Sequence, residues 1–203
     1  MTKGRLEAFS DGVIAIIITI TILLIDLPEG NDLPALKALL PISLSYLMSF
    51  IMVGTNWVNH HHLLQAAVNV DGKILWANLL YLFFLSFVPL ATGWVGRSSF
   101  ALLPTRVYVI LNLAIAASYV LLQHTIVKAA GCQLLESAVS ESRKEQQTIV
   151  LETLALIATF IPGVHKLAIP LLLAATAPWI IPDLRMKRVV EGRQRDCEET
   201  KTD

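Results

Sequence analysis

Residues 5–27 read Arg5-Leu-Glu-Ala-Phe9-Ser10-Asp11-Gly-Val-Ile-Ala-Ile16-Ile-Ile-Thr19-Ile20-Thr-Ile-Leu23-Leu-Ile-Asp-Leu27. An arginine, a serine and an aspartate run straight into an aliphatic stretch suited to a bilayer or a buried core. Ionisable groups at a membrane helix are costly and mark structural, conductive or catalytic work. Composition decides for the membrane. The chain has 203 residues, 55% hydrophobic, with a mean hydropathy of +0.62. An ordinary soluble domain holds about 45–50% apolar residues. Charged residues make up only 16% and are clustered. This is the composition of a polytopic membrane protein in a lipid bilayer. A net charge of zero gives no basis for nucleic-acid binding. Cys132 and Cys197 lie in polar segments without metal or redox spacing. Asp26-Leu-Pro-Glu29 follows the first apolar run, and no small-residue cleavage site does, so no cleavable leader is expected.

Working outward, apolar segments fall at 11–27, 36–58, 74–95, 103–127, 148–162 and 167–181. Pro41 breaks the second early, and Pro89 is expected to kink the third. A spanning helix needs roughly 20 apolar residues, so the first, fifth and sixth are short. Only Gly163-Val-His-Lys166 separates the last two, which read as a tight helical hairpin. The expected fold is all-α, with six transmembrane helices in one domain over 1–184 and a charged cytoplasmic tail over 185–203. Lysine and arginine set the orientation. Lys3, Arg5, Lys73, Lys128, Arg143, Lys144 and the basic residues from Arg185 onward share one side. Lys37, Arg97, Arg106 and Lys166 face the other. Both termini are therefore expected in the cytoplasm. Asp26, Glu29 and Asp32 then form an acidic outer loop, either a cation-concentrating mouth or an ordinary solvated turn. The polar segment 131–147 reads as a cytoplasmic helix or linker.

A helix advances about 100° per residue. Ile16, Ile20 and Leu23 therefore form one stripe with Thr19 on its border, and Asp11 lies roughly 140° from Ile16. If the stripe faces a symmetry axis, Asp11 faces neighbouring helices. Spacing alone leaves another reading open: the whole run faces lipid, and Ser10 and Asp11 cap the helix N-terminus.

The combination Arg5-x-x-x-Phe9-Ser10-Asp11 at the start of a first membrane helix resembles the signature of the transmembrane-protein-175 family of potassium channels. The second segment ends in Trp57-Val-Asn-His60-His61-His62. The third carries Asn78-Leu-Leu-Tyr-Leu and Ser86-Phe-Val-Pro89-Leu-Ala-Thr92. These agree with the family layout, and the later segments agree by arrangement only. The resemblance implies a potassium-permeable channel whose first helix lines the pore. It also implies a prokaryotic homotetramer of single six-helix subunits in the cell (inner) membrane. The chain lacks Thr-Val-Gly-Tyr-Gly, as the family does. The constriction positions carry over onto Ile16, Ile20 and Leu23, with Thr19 as a polar layer. Arg5, Ser10 and Asp11, with Phe9, are expected to anchor the helix, with His61 and Asn78 as possible partners. Rings of aliphatic side chains gate by dewetting and favour the weakly hydrated K⁺ modestly over Na⁺.

Other chemistry is weakly supported. Three consecutive histidines diverge by about 100° each on a helix and do not converge on one metal ion; no His-Glu-x-x-His is present. His60-His61-His62 is read as one structural histidine with interfacial neighbours, with pH sensing as a lesser alternative. His124 and His165 near segment ends are read as interfacial. Trp57, Trp76, Trp94 and Trp179 fit aromatic belts. No nucleophile elbow, phosphate loop or intramembrane carboxylate pair argues for an enzyme, and no cofactor or metal is expected. The competing reading is a proton-coupled secondary transporter with Asp11 as its relay. Asp11 sits at the membrane edge, whereas transporter sites lie near the midplane. A membrane scaffold is a third reading that no residue excludes.

Overall fold

The computed structural model describes residues 2–28, 30–67, 70–130, 143–161 and 163–180. Its regular elements are all helical. They are α1 Lys3–Ile22, α2 Leu33–Ala38, α3 Leu40–Ala66, α4 Gly72–Ser86, α5 Val88–Arg97, α6 Leu102–Ala130, α7 Arg143–Ala158 and α8 Ala168–Ile180, with a 3₁₀ turn at His165–Leu167. Glu29, the linker 131–142 with Cys132, and 181–203 with Cys197 and the tail lie outside the described residues.

Local chemistry explains the breaks. Pro34, Pro41 and Pro89 each sit in the first turn of α2, α3 and α5, where a missing N–H costs nothing. Pro89 divides the third apolar segment into α4 and α5 at Phe87. Asp32 and Asp71 cap α2 and α4, accepting from Ala35 N at 3.0 Å and Ile74 N at 2.9 Å. Gly163, at φ +80°, turns the chain between α7 and α8. Two expectations shift. The first helix starts at Lys3, eight residues before Asp11, with Thr2 at its N-cap. Ser10 and Asp11 are thus inside the helix and do not cap it. α7 likewise begins at Arg143, five residues before the apolar segment at 148, inside the stretch read as a cytoplasmic helix or linker.

Among the described residues two stretches, Gly72–Arg97 and Leu102–Ala129, are long and apolar enough to cross a membrane. Exposed Leu44, Leu47, Phe50, Phe83, Leu90, Ile110, Leu121 and Ile157 cover the outside of the bundle. Such a surface is a liability in water and ordinary in lipid.

Bundles in lipid gain little from apolar burial between helices and rely on close packing and polar contacts. α3 and α5 show both devices. Ser49 Oγ meets Thr92 Oγ1 at 2.6 Å and Tyr108 Oη at 2.8 Å, tying α3 to α5 and α6. Gly96 lets the helices touch. A Cβ there would meet Ser45 Oγ and lie 2.7 Å from Ile42 Cα, which is backbone and cannot swing away. At Gly93 the first neighbour is the Leu24 Cδ1 methyl, 3.2 Å off, which can move. Gly96→Ala is therefore expected to destabilise by about 1–3 kcal/mol. Gly93→Ala should change little. The thermal midpoint of purified protein checks the pair, and equal midpoints for the two variants would contradict the packing.

Candidate functional site

α1 has two unlike faces. Leu6, Ser10, Ile14, Ile17 and Thr21 recur at helical spacing and are buried against α3, α4 and α5. Ile16, Ile20 and Leu23 are 57%, 45% and 76% exposed. Thr19 is exposed beside them, and its hydroxyl donates to the carbonyls of Ala15 and Ile16, both at 3.0 Å. Among the described residues the aliphatic stripe is thus left uncovered.

The buried face is fixed by a polar relay. Asn78 Nδ2 donates to Ser10 Oγ at 3.0 Å, and Asn78 Oδ1 lies 2.7 Å from His60 Nε2. The amide nitrogen is spent on Ser10, so the amide oxygen accepts, and the proton on His60 sits at Nε2. Ser10, Asn78 and His60 are all fully buried. The His60 ring stacks on Tyr81, with centroids 5.3 Å apart and planes 7° from parallel. Tyr81 Oη donates to Asn56 Oδ1 at 3.1 Å. Three helices, α1, α3 and α4, are locked by this one chain of contacts.

Asp11 takes a separate partner. Trp57 Nε1 donates to Asp11 Oδ1 at 2.8 Å. The Arg5 guanidinium makes no hydrogen bond or ion pair among the described residues, and Phe9 is 49% exposed. Among the described residues these two side chains are not joined to Ser10 and Asp11. His61, offered as a partner, instead meets Gln65 Nε2 at 2.9 Å along its own helix. His60 takes that place because it shares the inward face of α3 with Met52, Val53, Leu63 and Leu64. That face was readable from the spacing of those residues. Trp57 was read as a belt residue; a Trp N–H in need of an acceptor, with Asp11 offering one, was the available signal.

At the opposite end of α1, Arg97 bridges Asp26 at 3.1 Å and donates to Leu24 O at 3.2 Å. With Asp32 capping α2, two of the three acidic loop residues have local partners.

The arrangement has counterparts among known proteins. The sequence model of the family described as "Endosomal/lysosomal potassium channel TMEM175" matches residues 5–89, the stretch that holds the whole relay. A potassium channel of Chryseobacterium sp. (strain P1-3) is 43% identical over 189 residues, covering 93% of this chain and 97% of that protein. The human endosomal/lysosomal proton channel TMEM175 is 36% identical over 116 residues, 51% of this chain and 23% of the human protein. The crystal structure of a lysosomal potassium-selective channel TMEM175 homolog from Chamaesiphon minutus superposes with a TM-score of 0.76 at 28% identity. That match covers 91% of this chain and 97% of the other.

Proposed function

Because the chain belongs to the TMEM175 family of ion channels, not of enzymes, we propose that it conducts potassium through a pore lined by α1. In this reading α1, α3, the α4–α5 pair, α6, α7 and α8 are six membrane spans. Four copies surround the axis, and both termini lie in the cytoplasm of a prokaryotic cell. Ile16, Ile20 and Leu23 form aliphatic rings with Thr19 as a polar layer between them, and no carbonyl filter is used. Arg5, Phe9, Ser10 and Asp11 hold α1 in place and stay out of the conduction path.

The observation that carries the reading is the division of α1. Its polar side chain Ser10 is buried against α3 and α4, while the aliphatic stripe is left open. A relay that clamps one face of a helix presents the other face in a fixed orientation. Rings set this way gate by dewetting, with modest preference for the more weakly hydrated K⁺. The Arg5 guanidinium, without a partner among the described residues, suits a contact with a second copy.

Planar-bilayer recording of purified protein under a K⁺ gradient tests the reading. Unitary currents that reverse near the K⁺ potential are expected. Asp11→Asn should lower the number of active channels without moving the reversal potential. A shift of reversal potential alone would put Asp11 in the conduction path. Saturating low-turnover flux tied to proton movement would favour a transporter.

A further inference from the structure

The Ser10–Asn78–His60 relay and the Trp57 bond hold α1 near its start. Its far end, where Leu23 closes the proposed stripe, is held by a different helix. α1 stops at Ile22, with Leu23 at its C-cap. The next turn closes tightly: Leu23 N, Leu24 N and Ile25 N donate to the carbonyls of Ile20, Thr21 and Ile22 at 3.0, 3.3 and 3.1 Å. The Leu24 carbonyl lies past that turn and takes its proton from α5, where Arg97 Nη2 donates to it at 3.2 Å. The last turn of α1 contains no basic residue. Asp26 follows four residues on, a negative charge at the negative end of the helix dipole. Arg97 Nε and Nη2 also reach Asp26 Oδ2, at 3.2 and 3.1 Å. One guanidinium from α5 thus supplies the cation that the end of α1 lacks.

Such a clamp fixes α1 only if α5 is itself fixed, and it is. Gly96, next to Arg97, lies against the Ile42 backbone of α3. Thr92 is tied through Ser49 to α3 and to Tyr108 of α6. Gly93, one turn before Arg97, receives the Leu24 side chain: a Cβ there would stand 3.2 to 3.7 Å from three Leu24 atoms. Leu24 is therefore gripped by its side chain and its carbonyl together. The Leu23 side chain is 76% exposed, so its place is set through its backbone, with the helix on one side and the gripped Leu24 on the other. The ion pair is open to solvent, with Arg97 52% and Asp26 76% exposed, and alone such a pair adds little. The weight falls on the carbonyl bond and on the cation at the helix C-terminus.

We propose that Arg97 is the positioning residue of the outer constriction: by capping the end of α1 from α5, it fixes where Leu23 stands. This rests on the reading of α1 as the pore helix. α1 then has two clamps, one at each end. The inner one sets which face of the helix is presented. The outer one sets how far the last ring reaches inward.

Hydrogen–deuterium exchange and single-channel recording on the full chain supply the test. Arg97→Ala is a change at a half-exposed position in the last turn of α5, where alanine suits the helix. The amides of Leu23, Leu24 and Ile25 should then exchange about fivefold faster, with those of α4 unchanged. Asp26→Asn keeps the Leu24 cap and should speed them less. Unitary conductance of Arg97→Ala should rise about twofold as the Leu23 ring loosens. In a Leu23→Ala background Arg97→Ala should add nothing, because no side chain is left to place. Unchanged exchange in Arg97→Ala overturns the clamp, whatever the currents do. An effect of Asp26→Asn as large as that of Arg97→Ala overturns the cap in favour of the ion pair. Where Leu23→Ala alters conductance, an Arg97→Ala channel of wild-type conductance overturns the positioning role, even if fewer channels assemble. So does a conductance change that persists undiminished in the Leu23→Ala background. Faster exchange in Arg97→Ala beside a Leu23→Ala channel of unaltered conductance places the failure in the pore reading instead, and the proposal falls with it.

Discussion

Ile16→Asn is expected to raise single-channel conductance about tenfold and to bring the K⁺ and Na⁺ permeabilities closer together. In the proposed tetramer, one substitution places four amides around the axis where four sec-butyl groups stood. A narrow aliphatic ring is a barrier because water leaves it and the ion loses hydration there. An amide restores hydrogen-bonding partners at that level. A barrier lowered by about 1.4 kcal/mol corresponds to a tenfold change. Leu23→Ala should act in the same direction by widening the ring instead of wetting it. Ile22 is the control. It is 49% exposed, comparable with Ile20, but lies roughly 120° round the helix from Ile16. Ile22→Asn should leave unitary conductance within about twofold, since a lipid-facing amide touches no ion path. If Ile16→Asn and Ile22→Asn behave alike in single-channel recording, the stripe is not the constriction.

How far the sequence alone leads can be judged on these same helices. Long apolar runs with prolines at their edges made the helices legible, because proline fixes where a first turn begins. The start of α1 was less legible. Lys3, Arg5 and Glu7 are polar and end an apolar run, yet they are good helix formers and continue the helix. Hydropathy marks what lipid tolerates, and backbone hydrogen bonding continues past that edge. Asp26 was read as part of an outer loop that either gathers cations or is simply solvated. Arg97 meets it across 71 positions of sequence, a distance no local pattern reports. The burial of Glu152 was illegible for the same reason. It sits near the middle of α7 beside polar Thr148, and only the meeting of α3, α6, α7 and α8 makes it a buried acid. The histidine triplet falls between these cases. Periodicity distinguishes His60 from His61 once the inward face of α3 is traced from Val53 to Leu64.

The second large effect is expected at Asn78. Asn78→Leu removes the residue that both accepts from His60 and donates to Ser10. Leucine fills similar space but satisfies neither neighbour. His60 Nε2–H and the Ser10 hydroxyl are then left buried at the α1–α3–α4 junction, and each unsatisfied group costs about 1–3 kcal/mol. A loss of roughly 3 kcal/mol is therefore expected, read as a lower thermal midpoint and a lower yield of assembled protein by size exclusion. Ser10→Ala should cost less, about 1 kcal/mol, because Asn78 still serves His60. The double variant distinguishes a relay from two separate contacts. Once Asn78 is gone, the Ser10 hydroxyl is itself a buried unsatisfied group, so Ser10→Ala should cost nothing further and recover part of the loss in that background. Additive losses would mean that Ser10 and Asn78 act independently. The relay also predicts how conduction fails. A loosened α1 should reduce the number of assembled channels, while those that do assemble keep the wild-type reversal potential. That pattern is the opposite of the one expected at Ile16, where channel number holds and conductance and permeability ratio change. Ser10, which Asn78 holds, and Ile16 lie six residues apart on α1, and the contrast between Asn78→Leu and Ile16→Asn tests whether anchoring and gating are assigned to its two faces.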